Sequence, residues 1–364
     1  MSEEVATRIR EAILDHGPIT FAELMEHALY GPGGFYEVPP VGAHFVTSPH
    51  VHPVFARLVG VALELLHGAL GHPEPFPMVE VGAGDGAMAR ELLAGFARAR
   101  LLIDYRAVEV SPGARSALDE LGIPTCERLI DAGPIERGVV IANELLDNLP
   151  FRRVRGGPSG PVEVRVGLED DRLVEVAIPC PTELLPTAGG LGEGDERVVP
   201  VGALGFVDEL ATALRGGYAV LIDYGVGVDP GPSVRGYRHH RLLDDLLADP
   251  GSADITSGVD LDAVARHARA RGLVAFEPVS QWAVLSALGY DGWAKGELER
   301  QSTLLSEGRG REAVRAWGDR SRASLLVDRS GLGGLAWLVL ATVGLPEPSW
   351  LQAARALQRD RGWR

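Results

Sequence analysis

From Met78 onward the chain alternates short, unbroken apolar runs with stretches whose apolar residues recur at helical spacing. Met78–Val81, Tyr105–Val110, Gly138–Ala142 and Tyr218–Asp223 predict buried strands, and residues 87–97, 112–121 and 203–215 predict the helices between them. Such alternation predicts an α/β fold with a doubly wound, mostly parallel sheet. A helix over 260–271 and strands near 272–277 and 334–343 complete it. The longest apolar run, Leu335–Leu345, is too short to span a bilayer and reads as a buried strand.

Two regions break the alternation. Ahead of Met78 the pattern is helical. A helix over Glu4–His16 is stopped by Gly17-Pro18, and Thr20-x-x-Glu23 is a capping box opening a second helix toward Tyr30. After a glycine- and proline-rich loop over 31–42, Ser48-Pro49 starts a third helix with Ser48 as N-cap. Its apolar face is Val51, Val54, Phe55, Leu58, Val59 and Ala62. The second break follows the 138–142 strand. Val162–Val166 and Leu173–Val176 alternate with period two around Glu169-Asp170-Asp171, which predicts an inserted β-hairpin. The expected organisation is an N-terminal helical cap or lid (1–75), a main domain (76–345) with insertions at 151–200 and 225–260, and a C-terminal tail (346–364).

Composition narrows the class. Apolar residues make up 46% of 364, enough for a sizeable core, and the net charge is −15. An acidic chain is a poor nonspecific binder of nucleic acid or anionic membrane, so neither partner is expected. Cys126 and Cys180 allow one disulfide at most and no cysteine-based zinc site. The acidic start Met1-Ser2-Glu3-Glu4 leads into a helix without an apparent signal peptide, so the expected location is cytoplasmic.

The chemistry concentrates after the first strand, in Glu80-Val81-Gly82-Ala83-Gly84-Asp85-Gly86. Glycine permits a tight turn and close approach of a ligand, and the following helix offers unpaired N–H groups. Gly82-x-Gly84-x-x-Ala87 fits a dinucleotide loop, whereas Glu80-x-Gly82-x-Gly84-x-Gly86 fits an S-adenosylmethionine (SAM) loop. Glu80 favours SAM, because a carboxylate suits the methionine ammonium and repels a pyrophosphate. Glu109, ending the next strand beside Val110, can accept both ribose hydroxyls.

Two later strand ends face the same crevice of a doubly wound sheet. Asn143 follows Val139–Ala142, and Glu144 and Asp147 are spaced to share one face of a helical turn. Carboxylates there could orient a guanidinium by bidentate hydrogen bonds and take its proton. Asp223 could bind a cationic group and Tyr224 could wall a methyl-transfer site; Asp223 fixing the next turn is the competing reading. The histidines His44, His50, His52, His239 and His240 lack metal-ligand spacing, and no metal is expected.

Taken in order, these motifs resemble the MidA-like family of SAM-dependent methyltransferases, which includes a mitochondrial complex I assembly factor that methylates a protein arginine. The resemblance spans roughly Gly17 to Leu345. It rests on Leu29-Tyr30-Gly31-Pro32-Gly33-Gly34-Phe35-Tyr36, Phe45-Val46-Thr47-Ser48-Pro49, the glycine loop, Glu109, Ala142-Asn143-Glu144-Leu145-Leu146-Asp147-Asn148-Leu149-Pro150 and Ile222-Asp223-Tyr224-Gly225. It implies a class I, Rossmann-like methyltransferase fold. In it Glu80, Gly82, Gly84 and Gly86 hold SAM, Glu109 with Val110 takes the ribose, Thr47, Ser48 and Asn143 also bind the cofactor, and the Thr47-Ser48-Pro49 and Asn143-Glu144 segments border the reaction site. The implied acceptor is a protein arginine; a small-molecule or peptide N- or O-methyltransferase and a non-catalytic SAM-binding assembly factor are the alternatives. The 225–260 insertion, with His240 and Asp254, is where acceptor contacts are expected. The chain departs from the family beside the site: His50 stands where an acid is common, and Ala43-His44-Phe45 replaces Gly-Asp-Phe.

Overall fold

A computed structural model describes residues 2–37, 47–225, 234–238, 241–243 and 245–360. His44, His239, His240 and the Ala43-His44-Phe45 departure lie outside the described residues. The central sheet has eight strands. In spatial order they are Val274–Ala275, Ala336–Ala341, Gly217–Asp223, Gly138–Asn143, Phe76–Val81, Ile103–Val108 and Thr125–Cys126, with Val279–Ser280 also pairing Ala336–Ala341. The strands from Gly217–Asp223 to Thr125–Cys126 run parallel. Ala336–Ala341 is antiparallel to its three partners. The sheet is therefore mostly parallel, and its central strands are apolar on both faces because helices cover both.

One face packs Phe55, Leu63, Leu92 and Phe96 of the Val54–Ala69 and Ala87–Ala99 helices against Met78, Val139, Val220 and Trp337. The other packs Val207, Leu210 and Val264 against Val79, Val140 and Leu221. Leu335 and Ala336–Ala341 sit in this core, as the apolar run predicts.

Several differences have local causes. The capping box forms: Thr20 Oγ1 accepts from the Glu23 amide at 3.1 Å and Glu23 Oε2 from the Thr20 amide at 2.6 Å. Its helix is α only over Phe21–Met25 and continues as a π-helical turn, Glu26–Tyr30. The third helix splits, because Pro53 cannot continue it. Thr47, not Ser48, is the N-cap of Ser48–Val51, and a new helix runs over Val54–Ala69. The predicted hairpin is part of a five-stranded sheet. Gly160–Glu169 and Arg172–Pro179 pair, and Arg152–Gly157, Glu196–Val199 and Ile19–Thr20 complete it. Asp170 and Asp171, both at positive φ, make its two-residue turn. This sheet closes on the N-terminal helices through Val5, Ile9, Phe21, Leu24, Phe151 and Val166. The region after Gly225 contains a three-stranded sheet, Val234–Arg238 between Arg241–Leu242 and Asp254–Ser257. The segment read as a tail holds a helix, Ser349–Asp360, with Trp350, Leu351 and Ala354 buried.

Candidate functional site

The carboxyl ends of the parallel strands open into a cavity of about 960 Å³. One lobe is the glycine turn. Gly82, Gly84 and Gly86 all have positive φ (72°, 55° and 76°). A Cβ on Gly86 would meet Leu121 at 2.7 Å and one on Gly82 would meet Leu145 at 3.0 Å, whereas one on Gly84 meets nothing within 4 Å. Two of the glycines thus serve the packing of the turn, and Gly84 leaves open space where a ligand would lie.

The acids around this turn are held by the backbone. Glu109 accepts from the Gly84 amide (2.8 Å) through one oxygen and from the Ser111 amide (2.9 Å) through the other. A carboxylate has lone pairs to spare for two further donors. Glu80 is buried and takes a short hydrogen bond from the Tyr105 hydroxyl. Burial pushes Glu80 up to about 8, against the lowering effect of that bond. Glu80, Gly82, Gly84, Glu109 and Val110 all line the cavity.

Glu144 forms the wall opposite. Its φ of 52° is unusual for a residue with a side chain. Its amide donates to Ile222 O at 2.7 Å, which ties the end of the Gly138–Asn143 strand to the next one. Its Oε1 accepts from the Ser48 amide (2.9 Å) and Asn143 Nδ2 (3.1 Å). Desolvation raises its pKa. Thr47, Asn143 and Glu144 line the cavity; Ser48 does not. The Ser48 side chain is buried against Gln281, so Ser48 positions Glu144 by its backbone. Asn143 Oδ1 is buried and meets no donor among the described residues. An acceptor left open at the cavity, together with the empty space over Gly84, fits a ligand that brings its own N–H or O–H groups, as SAM does.

Asp147, Asp223 and Tyr224 do not reach this cavity. Asp223 is fully buried. Its Oδ2 takes the amides of Leu145 (3.1 Å), Leu146 (2.6 Å) and Asp147 (3.3 Å), and its Oδ1 takes that of Tyr224 (2.8 Å). It fixes the turn after Glu144 on the neighbouring strand, and only its bond to the Tyr224 amide serves the chain that follows it. Burial still pushes it up to about 7. Asp147 is buried outside the cavity that Glu144 lines. Its Oδ1 has no donor among the described residues, and burial with Asp223 and Asp254 nearby holds its pKa well up. Tyr224 is 41% exposed outside the cavity.

The second lobe is one that sequence reasoning largely missed. Ala22, Glu26, Tyr30 and Tyr36 reach it from the N-terminal segment. Tyr30 donates to Asn148 O at 2.9 Å. Tyr36 donates to Asp254 Oδ1 at 2.8 Å, and Asn148 Nδ2 donates to the same oxygen at 2.9 Å. Burial pushes Asp254 up to about 6. The prior signals were Tyr30, Tyr36 and Asn148 in the family motifs and Asp254 in the 225–260 insertion; their meeting was not foreseen. At the rim, His50 bridges to Asp85 of the glycine turn. Among the described residues no group of His, Cys, Asp and Glu is arranged to hold a metal ion.

The chain as a whole is similar to known proteins. The chain is 30% identical over 319 residues to the protein arginine methyltransferase NDUFAF7, mitochondrial, of Bos taurus, covering 76% of this chain and 71% of that one. It is 28% identical to the Xenopus tropicalis protein of the same name, covering 79% and 76%. A COG1565 superfamily member from Burkholderia thailandensis, solved bound to S-adenosyl-homocysteine (SAH), superposes with a TM-score of 0.79 at 25% identity over 95% of this chain and 93% of that one. The fold is that of class I SAM-dependent methyltransferases, and SAM is the cofactor. The S-adenosyl-L-methionine-dependent methyltransferase family matches residues 58–279, more than half of the chain, and the protein belongs to that family.

Proposed function

We propose that this methyltransferase acts on a nitrogen of a protein arginine side chain. The observation that carries the reading is Glu144: its Oε1 is fixed by the Ser48 amide and Asn143, and its Oε2 accepts no hydrogen bond from the described residues. A carboxylate oxygen left open at a cavity wall suits a planar cation. Glu26, Tyr30 and Tyr36 in the same cavity suit the stem and charge of an arginine. The names of the curated relatives point the same way. On this reading Glu80 and the glycine turn take the methionine end of SAM, Glu109 the ribose and Asn143 a donor of the cofactor. Methyl transfer is an in-line displacement, and the chain's work is to align nucleophile and methyl and exclude water.

His50, in place of an acid, favours the second reading, a peptide or small-molecule acceptor. The decisive experiment offers tritiated SAM to synthetic arginine and lysine peptides and identifies the labelled residue after hydrolysis. Label on arginine alone, lost in Glu144→Gln, supports the proposal; label elsewhere refutes it. No described helix is long and apolar enough to cross a membrane. The relatives' names say mitochondrial, against the cytoplasmic expectation for this chain, and cell fractionation decides between them.

A further inference from the structure

His50 stands at the rim of the cavity with both ring nitrogens engaged. Its Nδ1 lies 2.8 Å from Thr47 Oγ1, and its Nε2 lies 3.2 Å from both carboxylate oxygens of Asp85. A carboxylate only accepts, so in the neutral ring the proton sits on Nε2 and Nδ1 accepts from the Thr47 hydroxyl. Asp85 is itself fixed, since its Oδ1 also accepts from the Ala87 amide at 3.0 Å. Thr47, His50 and Asp85 all line the cavity that holds Glu144. The His50 side chain is 35% exposed and that of Asp85 54%, so the far end of this chain of hydrogen bonds meets solvent.

We propose that Thr47, His50 and Asp85 form a proton relay that carries to solvent the proton released by methyl transfer. The inference rests on the methyltransferase activity. When an acceptor nitrogen attacks the methyl carbon, a nitrogen–carbon bond forms, the carbon–sulfur bond breaks, and its electron pair stays on sulfur. The acceptor nitrogen then carries one proton too many. Thr47 Oγ1 takes that proton while passing its own to His50 Nδ1, and the imidazolium is held against Asp85 until water removes the proton. His50 does not touch the acceptor; it acts through Thr47 and is a positioning residue. The charged groups facing it are Asp85 from the glycine turn, Glu144 from the strand end and Arg90 from the Ala87–Ala99 helix. The hydrogen bond to Asp85 is the largest influence and raises the ring's pKa. The same bond lowers Asp85. The packed turn Ser324–Val327 brings no titratable group.

The test uses the full chain with SAM and SAH as probes. Histidine-selective NMR follows the His50 ring, identified by its loss in His50→Gln. The sulfonium charge of SAM, absent from SAH, should make His50 titrate at a lower pH with SAM bound. Asp85→Asn should lower the titration in both complexes. Equal titration with SAM and SAH would overturn the relay; failure of both ligands to bind would instead count against the cofactor assignment. A second arm measures transfer of labelled methyl to an arginine peptide. Thr47→Val should reduce kcat about 100-fold, the scale of general acid–base catalysis, with SAH affinity within threefold of wild type. Thr47→Ser should restore kcat. Full turnover in Thr47→Val overturns the relay. A peptide that accepts no methyl from the wild type counts against the arginine reading, and the NMR arm still decides the relay.

Discussion

The two lobes of the cavity treat their acids differently. On the glycine-turn side Glu109 takes two amides, Glu80 takes a tyrosine hydroxyl, and Asp85 takes an amide and a histidine. On the tyrosine side Asp147 and Asp254 lie beneath Tyr30 and Tyr36. There Asp147 Oδ1 lacks a donor among the described residues. The first lobe is organised before any ligand arrives. Both hold buried carboxyls pushed toward their neutral forms, Glu80 in the first and Asp147 and Asp254 in the second, but only the second leaves a carboxyl oxygen without a donor among the described residues.

The largest effect should come from filling the organised lobe. Gly84→Val places a branched side chain at a φ of 55° and into the open space over the turn. SAH affinity by calorimetry should fall at least about 100-fold, since the backbone conformation and the ligand space are lost together. Retained binding would mean that the cofactor does not approach this turn. Glu144→Gln sharpens the contrast from the other side: turnover should fall about 100-fold while SAH affinity stays within threefold. Equal losses in both would merge the two lobes into one.

Asp223→Ala tests the support beneath the acceptor side. It strips the acceptor from four amides, and urea unfolding should report a loss of about 3 kcal/mol. Smaller is the pH effect of Glu80. An acid whose folded pKa is raised holds its proton more tightly in the folded chain. Its stabilisation is present below about 4.5 and lost as pH rises through about 8. The urea midpoint should therefore decline over that window, and Glu80→Gln should flatten part of the decline. A steeper decline in the variant would reverse the assignment. Last comes Asp147→Asn, which removes a carboxyl whose pKa burial holds well above the ordinary 3.8; its midpoint should match wild type below that value and exceed it increasingly as pH rises.

What could be read beforehand follows the same division. The glycine turn is local: seven consecutive residues hold strand end, glycines and helix start, and Glu109 ends the adjacent strand. Periodicity and turn chemistry suffice for such a unit. The partner of Glu80 was invisible, because Tyr105 reads simply as an apolar strand position. The tyrosine lobe is assembled from distant pieces. Tyr36 and Asp254 are 218 residues apart in the chain, and Tyr30 and Asn148 are 118 apart. No local pattern records such a meeting. Glu144 and Asp147 misled for a related reason. Helical spacing would put them on one face, but Glu144 takes a left-handed backbone and the turn that follows is 3-10, Leu146–Asn148. Asp223, one strand away, imposes that turn.

The attachment of Tyr30 and Tyr36 has an evolutionary consequence. Each reaches the inner wall through one hydroxyl, from a segment that contributes nothing to the Gly82–Gly86 turn. In this chain both tyrosines keep the family pattern while residues 43–50 depart from it. Duplicated copies of such a gene can therefore drift at the rim beside His50, while the tyrosine wall and the glycines are inherited together.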